Sequence, residues 1–444
     1  MKMKRLFVCF AAMALFAGCS QKQMQPVAAP TWYANETYFQ EKNSLYVDLP
    51  LDKSRIVMFG DDIADRGEWL MFYGDTVMRN RGIALEGTEH SLYRIDNIAS
   101  YKPAKIFVST GMRDVLRTDS PIPAEVSAEN IKELFARAAT ISPETELYFM
   151  SIIPNGLMNA EQVAKAAKIN ELVKAGAKGY KYIDVTTPLV GSNGILGEPY
   201  CWDKFNLNGA GYEVLAKTLE PYVGKTALNK AADREYPEQF AHYKNRVSIF
   251  NSLPKTAMPV VMLGNSLTNN GPWYELLPFN CLNRGISGDH VEGIYNRLDD
   301  VIEQQPATIN LLSGLNDFID NSDRTPAQVW KSYEKLIEKI TKELPNTQLV
   351  VFSTLPVNPI TKFYDGINEK VAELNKYLSS GTQQHKYIFI NLAEKLMDEN
   401  GDLDAKYTFD GIHLSADGYF VWAAMILSDP PLPYYLNFMD RMNQ

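Results

Sequence analysis

The sequence predicts an α/β protein made of two tandem domains, each with a mainly parallel sheet covered by helices on both faces. Short apolar segments alternate with longer helical patterns, and this alternation is typical of parallel sheets. In addition, the chain of 444 residues repeats itself with an offset near 204 residues. Two copies of about 200 residues have an ordinary domain size, so the repeat indicates two domains rather than a solenoid.

Five pairs of short motifs define the repeat. The offset between the two members of a pair stays between 202 and 207 residues. Chance similarity would not keep such constant spacing over five motifs. The pairs are Asp62 with Ser266, Gly82 with Gly285, Arg113 with Asn316, Pro154 with Pro356, and Asn206 with His413.

The elements of the second copy can be assigned in chain order. An aromatic-rich lead-in, residues 236–253, precedes the first strand, as residues 33–49 do in the first copy. The strands are short apolar runs that end in Gly, Asn or Ser, which is where buried strands give way to turns. They are predicted at Val260–Leu263, up to Gly285, at Thr308–Ser313, Gln348–Thr354 and Tyr387–Leu392, with helices at Gly293–Gln304, Pro326–Leu344, Asp365–Leu378 and from Ser415.

The first residues, 1–19, are predicted to be a lipoprotein signal peptide. A basic start precedes an apolar segment that is too short to cross a bilayer comfortably. The stretch Leu15–Cys19 resembles a bacterial lipobox, which implies cleavage before Cys19 and acylation of its thiol. Phe16 stands where the lipobox usually has Leu, Val or Ile, so plain secretion is the alternative. We therefore expect an exported bacterial lipoprotein, periplasmic or on the cell surface, whose membrane contact is this lipid anchor.

Composition restricts the remaining possibilities. The net charge of −9 provides no basic surface for nucleic acid, so we expect no nucleic-acid partner. Cys201 and Cys281 do not amount to a disulfide framework, and we expect two half-buried free thiols, although pairing between them stays open. The sequence does not indicate an oligomeric state. The expected boundaries are a tether and lead-in at 20–45, a first domain at 46–222, a linker at 223–235 and a second domain at 236–444.

The second copy holds a candidate for each group that acyl transfer needs, and each follows a predicted strand. Ser266, in a Gly-Asn-Ser turn, is the candidate nucleophile, and His413 is the candidate base. Asp410 precedes His413 by three residues and can bond the far ring nitrogen. The oxyanion donors would be the backbone N–H groups of Ser266 and Gly285 and the side-chain amide of Asn316. A serine in a turn is more often a helix cap, so the assignment depends on the whole set.

These four blocks resemble the SGNH, or GDSL-like, hydrolase superfamily of esterases and lipases. The family is named for Ser, Gly, Asn and His, which match Ser266, Gly285, Asn316 and His413. The resemblance covers most of residues 236–428 and implies three-layer α/β/α, flavodoxin-like domains, a Ser-His-Asp triad, and no metal or organic cofactor. The Gly-x-Ser-x-Gly motif of the α/β-hydrolases is absent from the sequence.

The first copy keeps the scaffold but lacks the reacting groups. Asp62 replaces the serine, Arg113 the asparagine and Asn206 the histidine, while Gly82 and Asp203 remain. A carboxylate has no hydroxyl to deprotonate, and an amide is no base at neutral pH. We expect a degenerate SGNH-like domain without hydrolase activity, which either binds a ligand or supports the active copy. The motif positions also suggest an ion pair between Asp62 and Arg113.

The leading functional hypothesis is a serine esterase that releases short acyl groups, above all O-acetyl groups, from carbohydrates. The carbohydrate part rests on family analogy, and the expected partner is an acylated small molecule or glycan. One alternative is a lysophospholipase or thioesterase that acts on longer acyl chains, for which an apolar trough would be needed. The other is a glycan-binding surface lipoprotein without catalysis.

Substrate specificity is expected in loops around the strand ends. Four aromatic residues in the segments 269–278 and 356–366 either stack on sugars or pack between the domains: Trp273, Tyr274, Phe363 and Tyr364. His290, which follows the Gly285 turn, either lines the pocket or is a surface residue.

Overall fold

Two five-stranded parallel sheets organise the molecule. The computed structural model describes residues 25–27, 36–74, 77–228, 240–256 and 259–428. The predicted signal peptide, Cys19 and most of the predicted linker lie outside these residues, so those expectations remain predictions. Helices cover both sheets, and the α/β class expected from the alternating pattern is confirmed.

The N-terminal half holds the first sheet and begins with a helix. Its strands are β1 (Ile56–Gly60), β2 (Met78–Gly82), β3 (Lys105–Ser109), β4 (Glu146–Met150) and β5 (Lys181–Ile183). Its helices are α1 (Thr37–Asp48), α2 (Asp62–Arg66), α3 (Trp69–Tyr73), α4 (Thr88–Ser100), α5 (Met112–Leu116), α6 (Ala124–Ile141), α7 (Ala160–Ala175) and α8 (Gly209–Val223).

The C-terminal half repeats this order. Its strands are β6 (Val260–Gly264), β7 (Cys281–Gly285), β8 (Thr308–Leu312), β9 (Gln348–Phe352) and β10 (Ile388–Ile390). Its helices are α9 (Ala241–Ser252), α10 (Ser266–Asn270), α11 (Trp273–Leu276), α12 (Val291–Asn296), α13 (Leu298–Gln304), α14 (Asn316–Ile319), α15 (Pro326–Glu343), α16 (Ile367–Ser380), α17 (Ala393–Leu396) and α18 (Ala416–Ser428).

The strand order is the same in both halves. The first sheet runs β2-β1-β3-β4-β5, and the second runs β7-β6-β8-β9-β10. This is the flavodoxin-like order, in which ligands bind beyond the carboxyl ends of the central strands. In the second sheet Gly264 pairs with both Gly285 and Leu312, so the turns after β6, β7 and β8 meet at one edge.

Equivalent hydrogen bonds confirm that the two halves are structural repeats. The indole N–H of Trp69 donates to Ala64 O at 2.6 Å, and that of Trp273 donates to Thr268 O at 2.8 Å. In each half the indole thus bonds a backbone carbonyl of the short helix that follows the first strand.

The two lead-in helices are exchanged between the halves. Helix α1 precedes the first sheet but packs against α18, at the end of the second half. Helix α9 precedes the second sheet but packs against α8 of the first half. Matched bonds fix both contacts: Ser44 Oγ accepts from Ala416 N at 3.2 Å, and Ser248 Oγ accepts from Gly209 N at 2.8 Å. Each half therefore completes its fold with a helix from the other.

Buried ion pairs also join the halves. The Arg81 guanidinium binds both carboxylate oxygens of Glu275, at 2.7 and 2.8 Å, and both side chains are buried. Arg246 on α9 binds Glu68 in the loop before α3 at 2.5 Å. Because a buried charge is costly without its partner, these pairs restrict how the halves can be placed relative to each other.

One predicted helix is divided. The expected helix Gly293–Gln304 is broken at Arg297, which lies between α12 and α13. The Arg297 side chain is buried, pairs with Asp289 at 2.8 Å and donates to Gly264 O at 3.0 Å. The helix breaks where this side chain reaches the turn after β6, an interaction that the helical pattern does not encode.

The two cysteines of the described residues do not form a disulfide. Cys201 and Cys281 are free, and both are buried rather than half-buried as expected. Within the described residues, no helix combines the length and the apolar character that crossing a membrane requires.

Candidate active site

Ser266 lies at the carboxyl end of a fully buried strand. The apolar residues of β6 lead into Gly264, where a Cβ atom would come within 2.2 Å of Leu312 O, so the close strand contact requires glycine. Asn265 caps the next helix by accepting a hydrogen bond from Leu267 N at 3.1 Å. Ser266 is the first residue of α10 and is buried, and its backbone N–H has no partner within the helix.

The structure brings Ser266, His413 and Asp410 together from opposite ends of the C-terminal half. His413 Nε2 lies 3.0 Å from Ser266 Oγ, and His413 Nδ1 lies 2.7 Å from Asp410 Oδ2. A base within hydrogen-bond reach of a hydroxyl, with its far nitrogen held by a carboxylate, is the arrangement that activates a serine.

The turn around Asp410 keeps its carboxylate charged and in place. Its Oδ1 atom accepts the backbone N–H groups of Ile412 and His413, both at 2.8 Å. Burial opposes ionisation, but the bonds from His413 and Ile412 prevail and lower the pKa of Asp410 to about 2. Gly411, between them, has a φ of 87°, which glycine adopts without strain.

The predicted oxyanion donors differ in their availability. The side-chain amide of Asn316 donates one hydrogen to Asp289 O at 2.9 Å, which orients the group and leaves its second hydrogen free for a ligand. The backbone N–H of Gly285 instead donates to Asn283 Oδ1 at 2.9 Å. Glycine is required here because a Cβ atom would come within 2.1 Å of Asn269 N. Gly285 can serve an oxyanion only if its N–H turns from Asn283 or is shared with it.

Buried carboxylates brace the turns around Asn316. Burial raises the pKa of Asp289 to about 6, against the lowering effect of Arg297, its ion-pair partner. Asp317 accepts from Val291 N at 3.2 Å and pairs with Arg324 at 2.8 Å. It therefore caps α12 rather than its own helix, and it links the turns that follow β7 and β8.

The equivalent site in the N-terminal half keeps the turn without its base. Asn206 Nδ2 donates to Asp203 Oδ2 at 2.7 Å, and Asn206 N donates to Asp203 Oδ1 at 2.7 Å. Asp62 occupies the position of the serine and accepts from Leu85 N at 2.9 Å.

The expected ion pair between Asp62 and Arg113 is wrong. In the described part of the chain, Asp62 pairs with Arg66, one helical turn away, at 3.4 Å. Arg113 is partly exposed and contacts Glu36 at 3.9 Å. The nearer cation on the same short helix takes the carboxylate, which alignment of the repeats could not reveal.

Glu41 is a member of the site that sequence reasoning missed. One oxygen of Glu41, one of Asp410 and one ring nitrogen of His413 lie within 4.8 Å of one another. Such a trio could hold a metal ion, but both ring nitrogens of His413 already face Ser266 and Asp410. Helical spacing offered one signal, because Glu41 lies one turn before the buried Leu45.

Two of the four candidate aromatic residues are packing residues. Trp273 is fully buried, with its ring centroid 4.6 Å from that of Trp422. Tyr274 lies between the halves, where its hydroxyl accepts from Asn80 N at 3.3 Å. Stacking on a sugar needs an exposed ring face, which the buried Trp273 lacks. Tyr274 is half-buried; it packs between the halves and lines a cavity there.

The loop 356–366 lies beside the Asp410 turn. Phe363 and Tyr364 are half-buried, and the Tyr364 hydroxyl donates to Asp402 at 3.1 Å. Ile360 is 70% exposed, and its side chain touches Gly411. A Cβ atom placed on Gly411 would lie only 2.8 Å from Ile360 Cγ2. This loop therefore offers an apolar side chain next to the histidine turn.

Two cavities lie away from Ser266. One, of about 380 Å³, lies between the halves and is lined by Lys42, Asp65, His242 and Arg246 among others. The other, of about 310 Å³, is lined by His290, Asp317 and Arg324 among others. Neither cavity is lined by Ser266 or His413. His290 lines the second cavity rather than the site of Ser266, and its Nε2 atom lies 2.9 Å from an Asp320 carboxylate oxygen.

Curated relatives match parts of the chain. A platelet-activating factor acetylhydrolase IB subunit alpha2 from Rattus norvegicus is 23% identical over 215 residues, which are 46% of this chain and 92% of the relative. An N-acylneuraminate cytidylyltransferase from Escherichia coli O18:K1:H7 is 22% identical over 196 residues, or 44% of this chain. That match spans only 45% of the cytidylyltransferase.

Solved structures are similar to parts of the chain as well. A GDSL-like lipase from Bacteroides thetaiotaomicron is 23% identical, with a TM-score of 0.36, and the match covers 42% of this chain and 96% of the lipase. A lipase/acylhydrolase from Enterococcus faecalis is 23% identical, with a TM-score of 0.33, over 38% of this chain and 93% of its own.

A family model adds the residue range. The model of the GDSL-like Lipase/Acylhydrolase family matches residues 262–420, which run from β6 to α18 and include the turns that carry Ser266, Gly285, Asn316 and His413. The C-terminal half of this chain therefore contains a GDSL-like lipase/acylhydrolase domain.

Proposed function

We propose that the C-terminal half is a serine esterase that removes short acyl groups, above all O-acetyl groups, from carbohydrates. The observation that carries this proposal is the contact of His413 Nε2 with Ser266 Oγ at 3.0 Å, with Asp410 2.7 Å from the other ring nitrogen. The acylhydrolase family of residues 262–420 supports the same class of reaction.

The residues have distinct roles in this mechanism. His413 takes the proton of Ser266 Oγ while that oxygen attacks the ester carbonyl, and it then returns the proton to the leaving alcohol. Asp410 holds the tautomer whose Nε2 accepts the proton, and it stabilises the imidazolium. Water then attacks the acyl-enzyme by the same route and releases the acid.

The negative charge on the carbonyl oxygen needs fixed donors. The first two candidates are Ser266 N–H, at the first position of α10, and the amide hydrogen of Asn316 that does not bond Asp289 O. The Gly285 N–H would join them once it leaves Asn283 Oδ1, at present its acceptor at 2.9 Å. Asn283 therefore controls whether the third donor takes part.

The two parts of the proposed substrate, a short acyl group and a carbohydrate, are supported by different relatives. The name of the Rattus norvegicus relative is that of an acetylhydrolase, and the Escherichia coli relative is named for N-acylneuraminate, an acylated sugar acid. The experiment is acetate release from acetylated sialic acids, xylan and pectin fragments, with Ser266→Ala as the inactive control. Release by the wild type alone supports the proposal, and no release from any ester contradicts it.

A second candidate is action on longer acyl chains, as in a lysophospholipase or thioesterase. It is favoured by the exposed Ile360 beside Gly411 and by Phe409, which is 39% exposed next to Asp410. These side chains could cover several methylene groups of an acyl chain. Rates on nitrophenyl esters from acetyl to palmitoyl separate the candidates, because an acetylesterase loses rate as the chain lengthens.

The other parts of the chain have supporting roles in this proposal. Residues 46–222 are a degenerate copy without hydrolase activity, since Asn206 cannot accept the proton that His413 accepts.

Cys19 is the lipid attachment site of an exported lipoprotein, which would hold the esterase near envelope or extracellular glycans. If neither hydrolysis nor labelling by a serine-directed phosphonate is seen, the glycan-binding alternative replaces the esterase.

A further inference from the structure

Helix α1 belongs to the chain's N-terminal half but is built into the C-terminal half. Leu45 is buried in a cluster with Trp273, Leu312 and Trp422 of that half. Ser44 Oγ accepts from Ala416 N at 3.2 Å, at the first residue of α18. These contacts place the face of α1 that carries Glu41 against the turn of Asp410 and His413.

Glu41 faces the catalytic turn without another partner. Its side chain is 2% exposed, and its oxygens have no hydrogen-bond partner of normal geometry. One of its carboxyl oxygens, one carboxyl oxygen of Asp410 and one ring nitrogen of His413 lie within 4.8 Å of one another. A buried polar group that is unsatisfied in a native fold calls for an explanation, and here it is aimed at the reacting groups.

The neighbours of Glu41 determine which carboxyl group holds the proton. Asp410 receives two backbone N–H groups and the His413 ring, which favour its charged form. Lys42, the next residue on α1, is engaged by Asp65 at 3.3 Å, and Tyr419 on α18 is neutral. Burial, and then repulsion from Asp410, raise the pKa of Glu41 to about 10. A neutral carboxyl group can donate a hydrogen bond to a carboxylate.

The other exchanged helix supplies an internal comparison. The offset of 204 residues that relates Ser44 to Ser248 relates Glu41 to Asn245 on α9. Asn245 lies at the turn of Asn206, to whose carbonyl oxygen its amide donates at 3.5 Å. Glu41 thus lies beside the turn that carries His413, whereas Asn245 lies at the equivalent place beside the turn that has Asn206 instead of a histidine.

We propose that Glu41 is a positioning residue of the esterase site, whose neutral carboxyl group donates to the Asp410 carboxylate and holds it against His413. This inference rests on the proposed function. The catalytic unit then includes residues 37–48 of the other half, and the C-terminal half needs α1 for full activity.

The test uses the full-length protein with three substitutions. Glu41→Met keeps the length of the side chain and removes the donor, whereas Glu41→Gln keeps a donor. Asn245→Met is the matched control at the equivalent buried position of α9. We expect Glu41→Met to lower kcat on a nitrophenyl acetate at least about tenfold with KM within twofold, because a bond to a charged group is lost. Glu41→Gln should stay within about threefold of the wild type, and Asn245→Met should not change kcat.

Labelling of Ser266 by a fluorophosphonate distinguishes a failure of the role of Glu41 from a failure of the proposed esterase function. If the wild type labels and turns over, but Glu41→Met does so at the same rate, the role of Glu41 is refuted and the esterase stands. If the wild type neither labels nor turns over, both proposals fall. Should Glu41→Met not fold, Glu41→Gln and Glu41→Ala are compared by labelling rate, and equal rates refute the role.

Discussion

Asn206 Nδ2 lies 2.7 Å from Asp203 Oδ2, the same distance that separates His413 Nδ1 from Asp410 Oδ2. The two turns have the same hydrogen bonds, and they differ in whether the side chain has a second nitrogen that can accept a proton. At this position the two halves therefore differ by one functional group on a shared turn, in addition to the exchanges of Ser266 for Asp62 and of Asn316 for Arg113. These differences lead to the following predictions.

Ser266→Ala should lower kcat/KM at least about 10⁴-fold while the melting temperature stays close to that of the wild type. The hydroxyl is the proposed nucleophile, and alanine fits the same first helical position. Asp62→Ala, at the equivalent position of the N-terminal half, is the control and should leave the rate unchanged. Equal losses in the two variants would refute the assignment of chemistry to one half.

Asp410→Asn should lower kcat about 10⁴-fold. An asparagine amide can donate to His413 Nδ1, so the ring would turn its proton toward Ser266 and lose its function as a base. The measurement is kcat with nitrophenyl acetate, and Asp203→Asn is the matched control. A loss of less than about tenfold for Asp410→Asn would show that the carboxylate is not needed to hold the tautomer.

Glu41→Gln should stabilise the folded protein at pH 8 by at least about 1 kcal/mol, up to a linkage limit of about 5 kcal/mol. An unfolded glutamate ionises above its ordinary pKa of about 4.3. The folded protein keeps Glu41 protonated up to its raised pKa of about 10, because burial and Asp410 disfavour its charge. Ionisation therefore favours the unfolded state increasingly as pH rises from about 4 toward 10.

Urea unfolding of both proteins at pH 4 and pH 8 measures this effect. The groups that face Glu41, namely Asp410, His413, Tyr419 and Lys42, are the same in both proteins, so the difference isolates the carboxyl group. The advantage of the glutamine variant should be present at pH 8 and small at pH 4. An equal advantage at both pH values would mean that Glu41 does not carry a raised pKa.

Glu275→Ala should destabilise the protein by about 3–5 kcal/mol, because it leaves the buried Arg81 guanidinium without its bidentate partner. Replacing both residues, Arg81→Met with Glu275→Leu, should recover much of the loss. Urea unfolding provides the free energies. A cost below about 1 kcal/mol for Glu275→Ala would show that the halves are not held together by this pair.

Cys19→Ser should abolish incorporation of labelled palmitate and release the protein from the membrane fraction of a bacterial host. The lipobox-like stretch Leu15–Cys19 motivates this expectation. Cys201→Ser, which removes a buried thiol, is the control and should keep the label. Retention of the label in Cys19→Ser would exclude lipidation at this residue.

The sequence predicted the scaffold well where pattern and turn chemistry agree. The strands β6 and β8 are apolar runs closed by glycine and small polar residues, and both lie within one residue of their expected bounds. Ser266 could be located because it directly follows such a strand and matches a family motif. His413 was located by its motif alone, because its turn lies well beyond β10, with α17 in between.

The rest depends on contacts between distant segments. The pairing of Asp62 with Arg66, the burial of Trp273 and the break at Arg297 are decided by tertiary neighbours rather than by local pattern. Glu41 lies far from Asp410 in the chain and meets it only because the lead-in helices are exchanged. The repeat indicated where the copies correspond but not which copy each lead-in helix completes.

The most direct measurement is the site of covalent labelling by a fluorophosphonate, read by peptide mass spectrometry on the full-length protein. The account predicts one adduct, on Ser266, that is absent from Ser266→Ala and much slower to form in His413→Ala. An adduct on another residue, or no adduct in a protein that still hydrolyses acetyl esters, would contradict it.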